Sequence, residues 1–214
     1  MRVAALAGGV GGAKLLVGLD TALPRGQLTA IVNTGDDATI YGVHVSPDVD
    51  IVTYWLAGLA DTQRGWGLKN DTFNLIEGLA RLGHDTWFRL GDRDFATCLH
   101  RTQLLRAGAT LTSVTDEIRR ALDVRAVVLP MSDDRAPTLL ETRDGRILEF
   151  QQYFVKEKTE PEIAAVRLPQ DAKPAPGVLD AIVNADVVVL CPSNPFVSIA
   201  PILALPGVRA ALRA

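Results

Sequence analysis

Two cysteines, Cys98 and Cys191, and three histidines, His44, His84 and His100, are all that 214 residues hold of those types. The cysteines lie far apart without metal-ligand spacing, which argues against a disulfide framework or a thiolate zinc site and fits a reducing, cytoplasmic compartment. The histidines are scattered, and no Ser/His/Asp or Cys/His set accompanies them. That lack favours direct, metal-assisted group transfer over a covalent enzyme intermediate. No apolar run approaches the length of a membrane span, and Arg2 leads straight into a short strand-like run rather than a secretory leader. A net charge of −3 and a pI near 5.6 leave no basic surplus for a nucleic-acid surface. What the chain does have is apolar substance: 48% of its residues are hydrophobic, enough for the core of one domain with a small inserted lobe.

Short apolar runs alternate with helix-length segments. Val3–Ala7 and Leu28–Val32 read as buried parallel strands, with a helix over Ala13–Leu23 between them. Further helices are expected at Ile51–Leu59, Asp71–Leu82, Ala96–Ala107 and Ser113–Leu122, the last capped by Ser113 or Thr115. Ala126–Leu129 returns to strand, and Asp186–Leu190 reads as a final buried strand. Arg143-Asp144-Gly145-Arg146 between Thr138–Thr142 and Ile147–Phe150 marks a hairpin, and Lys156–Pro176 reads as loop or insertion. The pattern predicts an α/β, Rossmann-like fold: a mostly parallel sheet flanked by helices, with a small lobe around 137–176.

Two segments carry the chemistry. Gly8-Gly9-Val10-Gly11-Gly12-Ala13-Lys14 closes the first strand, and Asn33-Thr34-Gly35-Asp36-Asp37 closes the second. In an open α/β sheet both fall at the carboxyl ends of neighbouring strands, where ligands bind. Bare glycine amides suit phosphate oxygens, and carboxylates suit Mg²⁺ bridging those phosphates. The loop matches neither G-x-G-x-x-G, because Lys14 replaces the last glycine, nor a P-loop, because no Gly-Lys-Ser/Thr ends it. An NAD-type ribose carboxylate is the rival for Asp36 and Asp37, and the broken fingerprint disfavours it. Asp48 and Asp50 precede a helix, and capping explains one of them better than both. Arg89 or Arg93, in the Trp87–Asp94 block, has the forked geometry for a phosphate or carboxylate. Asp133 and Asp134 follow a third strand, which points to a shared ligand mouth.

Taken in order, these blocks resemble the 2-phospho-L-lactate transferase family of coenzyme F(420) biosynthesis. The likeness continues through Arg64-Gly65-Trp66-Gly67-Leu68, Met131-Ser132-Asp133-Asp134, Phe150–Val155 and Pro192–Ile199. It implies transfer of a phospholactyl or phosphoenolpyruvyl group from a guanosine-diphosphate-activated donor to the terminal hydroxyl of the deazaflavin Fo, with release of GMP and a requirement for Mg²⁺. By that likeness Gly9, Gly11, Gly12 and Lys14 cradle the donor nucleotide and Asp36 holds the metal. Asp50 and Arg89 contact Fo, Asp50 also reaching the metal and accepting the hydroxyl proton. Asn33, Ser193 and Asn194 are further contacts at the mouth. The likeness also implies a homodimer. Family members run past the block ending at Pro206-Gly207, so 1–214 is read as a single Rossmann-like transferase domain without that further portion. A nucleotide-binding regulatory protein on the same scaffold is the alternative; it should lack the Trp87–Asp94 and Pro47–Asp50 blocks.

Overall fold

A computed structural model describes residues 1–214. Strand β1 (Val3–Ala7) runs through Gly8 directly into helix α1 (Gly9–Ala22), and β2 (Leu28–Val32) follows. Next come a hairpin, β3 (Ala38–Ile40) and β4 (Val43–Val45), and helices α2 (Pro47–Leu56), α3 (Asn74–Arg81), α4 (Asp92–Arg106) and α5 (Leu111–Ala121). The chain then forms β5 (Val127–Pro130), β6 (Leu139–Thr142), β7 (Ile147–Glu149) and β8 (Ile163–Arg167). It closes with α6 (Val178–Val183), β9 (Val187–Leu190), α7 (Ala200–Ala204) and α8 (Val208–Ala211). Single π-helical turns sit at Gln152–Lys156 and Pro195–Ile199.

The central sheet is parallel throughout, in the order β5-β2-β1-β9. Alternation along its strands feeds two cores. Val3, Ala5 and Ala7 pack with Leu28, Ala30 and Val32 against Ala13 and Leu16 of α1 and Val49 and Val52 of α2. Leu6 and Ile31 point the other way, against Val178 and Ile182 of α6, Ile202 of α7 and Val208 of α8. Helices therefore cover both faces, as the alternating pattern predicts. A smaller cluster, Ile40, Val43, Val45, Ile76, Leu90 and Cys98, joins the hairpin to α3 and α4 and builds one wall of the site.

Several boundaries move, each for a local reason. The glycine segment is not a loop ahead of the helix but its first turn: Gly8 is extended and Gly9 takes φ +63°. Helix α2 begins at Pro47, suited to a first helical position, so Asp48 and Asp50 lie inside its first turn. Thr110, not Ser113 or Thr115, caps α5, its Oγ1 accepting the Ser113 amide at 3.2 Å. The β3–β4 hairpin turns at Tyr41-Gly42, both left-handed, and escapes a reading based on apolar runs because each strand has three residues. Strand β8 emerges from the stretch read as loop or insertion and joins the expected hairpin to give the antiparallel order β7-β6-β8. The last strand is not buried. β9 is the edge of the parallel sheet, leaving Val187 and Leu190 42% and 56% exposed.

Candidate active site

The carboxyl ends of β1, β2 and β9 open into a cavity of about 750 Å³. It lies where the strand order turns back on itself, with β2 on one side of β1 and β9 on the other, the usual ligand position in such sheets. Its polar floor comes from Gly8, Gly9 and Gly11 after β1, Asp36 after β2, and Asp48 and Asp50 on α2. Its apolar wall comes from Trp66, Trp87, Phe88, Phe150 and Phe154. Pro192–Asn194 and Val197–Ser198 close the remaining side.

Close packing holds the floor together. A Cβ on Gly8 would collide with Asp48, and one on Gly11 with the Pro192 carbonyl, so the β1–α1 and β9 turns approach as only glycine allows. The Gly9 amide donates to Asp48 Oδ1 at 2.7 Å, and the Gly8 amide donates to Ser193 Oγ at 3.0 Å. No side chain of the Gly8 cap binds the helix end, and Val10 and Gly11 face the cavity from its first turn.

Asn33 lies beneath this floor, fully buried. Its Nδ2 donates to Asp36 Oδ1 at 2.6 Å and to Asp48 Oδ2 at 2.9 Å, so one amide ties two carboxylates together. Gln151 Nε2 donates to Asp36 Oδ2 at 3.2 Å. Amide N–H groups and the Ser198 hydroxyl are the partners of this pair, and no ion pair holds either acid. Burial, then the neighbouring Asp48 and Asp37 charges, pushes Asp36 well above the usual carboxylate range. Asp48 is raised to about 6, chiefly by burial.

The adjacent pair Asp36-Asp37 does not act as a pair. Asp37 turns away to accept Ser46 Oγ at 2.7 Å and to meet His44 Nε2 at 3.0 Å, bracing the hairpin to α2. The true neighbour of Asp36 is Asp48, twelve positions on, which sequence reasoning noticed only as one of two acids before a helix. Its signal was the excess of acid over what one cap needs.

Asp50 borders the cavity but is held from behind. Arg101 of α4, 1% exposed, grips both carboxylate oxygens, one at 3.0 Å and the other more closely. Nothing in the sequence marked Arg101, which looks like any other arginine on a helix. Asp94 is a second site residue not named in advance. It is raised to about 7 by burial and by the Asp50 charge, and Tyr54 Oη donates to its Oδ1 at 2.8 Å. Asp50, Asp94 and Cys98 could group around an ion, but the Arg101 guanidinium already occupies the Asp50 carboxylate.

Arg89 lines the cavity, and its guanidinium lies 4.4 Å from the ring centre of Phe73, outside the lining, where Arg64 also stacks at 5.3 Å. Tyr41 at the hairpin turn fixes the segment before it, its hydroxyl bonding both the amide and the carbonyl of Phe88 at 2.9 Å. The other charges of that block are caps. Asp92 accepts Thr72 Oγ1 and the Asn74 and Leu75 amides at the start of α3, which lowers it to about 2. Asp71 in turn accepts the Arg93 and Asp94 amides at the start of α4.

The expected residues therefore divide. Gly9, Gly11, Asp36, Asp50, Arg89, Ser193 and Asn194 line one cavity. Gly12 is buried against Ala7 and Ser193, Asn33 is below the floor, and Lys14 lies over the Trp55 ring at 5.5 Å. Asp133 and Asp134 do not share the mouth: Asp133 accepts the Thr112 amide at 2.7 Å, and Asp134 accepts the Lys173 amide at 2.9 Å.

The family model described as 2-phospho-L-lactate transferase CofD matches residues 3–214. The chain belongs to that family. Similar members include a protein of Streptomyces griseus named phosphoenolpyruvate transferase, 48% identical over 99% of this chain and 69% of its own length. Another of the same name, from Mycolicibacterium smegmatis, is 44% identical over 100% of this chain and 70% of its own length. The fold also matches the crystal structure of a upf0052 family protein from Bacillus halodurans. That match has a TM-score of 0.66 and 27% identity, over 98% of this chain and 64% of the other. The chain spans about two thirds of the length of each of these three proteins.

Proposed function

We propose that this protein moves a phosphate-linked three-carbon acid from a guanosine-diphosphate-activated donor to the terminal hydroxyl of Fo, releasing GMP. The supporting observation is the division of one cavity into an acidic, glycine-lined floor and an aromatic wall. A diphosphate fits the first and a flat tricyclic ring the second. The names of the actinobacterial relatives favour phosphoenolpyruvate over phospholactate as the transferred group. In the transfer the acceptor oxygen forms a bond to the phosphorus bearing the acid, the bond from that phosphorus to the GMP oxygen breaks, and the hydroxyl proton leaves to a base.

Asp36 and Asp48 suit Mg²⁺ because two buried carboxylates face each other through one amide with no cation to offset them. Asp50, committed to Arg101, suits it less. When bound, the ion would offset charge on the diphosphate. The chain's own part is placement. The first-turn amides not taken by Asp48, those of Val10 and Gly11, meet the phosphates, and Arg89 and the aromatic wall hold the ring. Primary alcohols are weak nucleophiles, so positioning is the larger contribution.

Mass spectrometry of the protein with Fo, Mg²⁺ and each guanylated donor tests this. A phospho-acid adduct of Fo with GMP supports the reading and identifies the donor. A folded sample that neither forms the adduct nor quenches Fo fluorescence rejects it in favour of a nucleotide-binding regulator.

A further inference from the structure

Four buried carboxylates border the cavity, and they are not equivalent. Asp36 and Asp48 share Asn33, and Asp50 is gripped by Arg101. Asp94 differs. It is 8% exposed, its Oδ1 is taken by Tyr54, and its Oδ2 meets no donor of the protein. That oxygen is not sealed in the core. It points toward the Trp66-Gly67 turn, 3.9 Å from where a Gly67 Cβ would stand, and both Asp94 and Gly67 line the cavity. A carboxylate held by one hydroxyl, with its other oxygen unpaired and its residue lining an aromatic-walled pocket, is placed to meet a ligand donor.

The geometry points to Asp94 as a specificity-determining contact for the acceptor ring: its Oδ2 accepts a hydrogen bond from a ring N–H of the bound heterocycle. This rests on the reading of the cavity as a deazaflavin site and adds a residue to it. The ligand class follows from the surroundings. Tyr54 and the Trp66-Gly67 turn flank the carboxylate with flat or apolar surface, while the Asp36–Asp48 pair stands on another part of the floor. A planar ring lying there would bring its polar edge, not its hydroxyl-bearing chain, to Asp94. Tyr54 holds Oδ1 from behind, which fixes the carboxylate plane and leaves a single oxygen to read that edge. A ring with a methylated nitrogen at this edge would leave Oδ2 buried and unpaired, the situation that rejects an analogue most strongly.

The test measures Fo and GDP affinity, by Fo fluorescence and calorimetry, for the native protein and Asp94→Asn, and adds an Fo analogue methylated on the pyrimidine-ring nitrogen. Native protein should bind the methylated analogue about tenfold or more weaker than Fo, as expected when a buried acceptor is left without its donor. Asp94→Asn should lose Fo affinity by a similar factor, with GDP affinity unchanged, and should discriminate less between Fo and the analogue. Equal native affinity for Fo and the analogue overturns the inference without recourse to any variant. So does an Asp94→Asn protein that binds Fo normally, or one that loses GDP affinity in the same proportion. Native protein that binds no Fo at all overturns the cavity reading itself, a distinguishable result.

Discussion

Replacing Arg101 by methionine should be among the most damaging single changes in the chain, although Arg101 does not itself line the cavity. Arg101 and Asp50 have side chains only 1% and 7% exposed, and the pair is bidentate. Removing the guanidinium leaves a buried, unpaired carboxylate in the cavity floor beside Asp94, with the Tyr54 hydroxyl already committed to Asp94. Breaking such a pair from one side costs about 3–5 kcal/mol, because the remaining charge keeps its desolvation penalty without its partner. For a domain of this size that corresponds to a melting point lower by roughly 6–20 °C. The pair itself adds much less than this to stability. Arg101 Nε–H is buried without an acceptor, and both charges have left water. Combining Arg101→Met with Asp50→Asn should therefore recover more than half of the loss. Urea and thermal unfolding of the two single variants and the double variant check this. An Arg101→Met protein within about 1 kcal/mol of the native one, a routine surface-substitution effect, would refute the buried-pair argument. A double variant no better than Arg101→Met would show that Arg101 acts through packing instead.

Four further outcomes can be read in solution. Gly11→Ala places a methyl group on the Pro192 carbonyl and should lower stability by about 1–3 kcal/mol. Gly18→Ala, on the same helix with open space around it, should raise stability by about 0.5–1 kcal/mol in parallel urea melts. Burial raises Asp48 from 3.8 to about 6, so the folded state holds its proton more tightly than the unfolded chain. The associated stability is full at low pH and is lost as pH climbs through that interval, and Asp48→Asn should flatten this decline. A native-like slope in the variant would exonerate Asp48. Asp92 is lowered to about 2, so the opposite sign applies. Its contribution is present above the ordinary carboxylate range and lost as pH falls toward 2, and Asp92→Asn should unfold over a less steep acid transition.

The sequence by itself was enough for the parallel sheet, the helices on both faces and the family. Those rest on local periodicity, strand–turn–helix punctuation and ordered motifs, all of which are contiguous in the chain. Val3–Ala7 and Leu28–Val32 were legible to the residue because buried parallel strands are continuous apolar runs bounded by turn residues. The exposed edge position of β9 was not, since its four residues are as apolar as those of a central strand and only the strand order reveals the edge. The same division runs through the site. Glycines after β1 and acids after β2 pointed to the cavity, because position after a strand is a local property. Which acid faces which is not local. Asp36 meets Asp48 rather than Asp37, Arg101 arrives at Asp50 from fifty-one positions away, and Tyr54 reaches Asp94 from forty. These pairings are decided by how α2 and α4 pack across the hairpin. A charge in a sequence has no partner until tertiary contacts exclude the water that would otherwise solvate it.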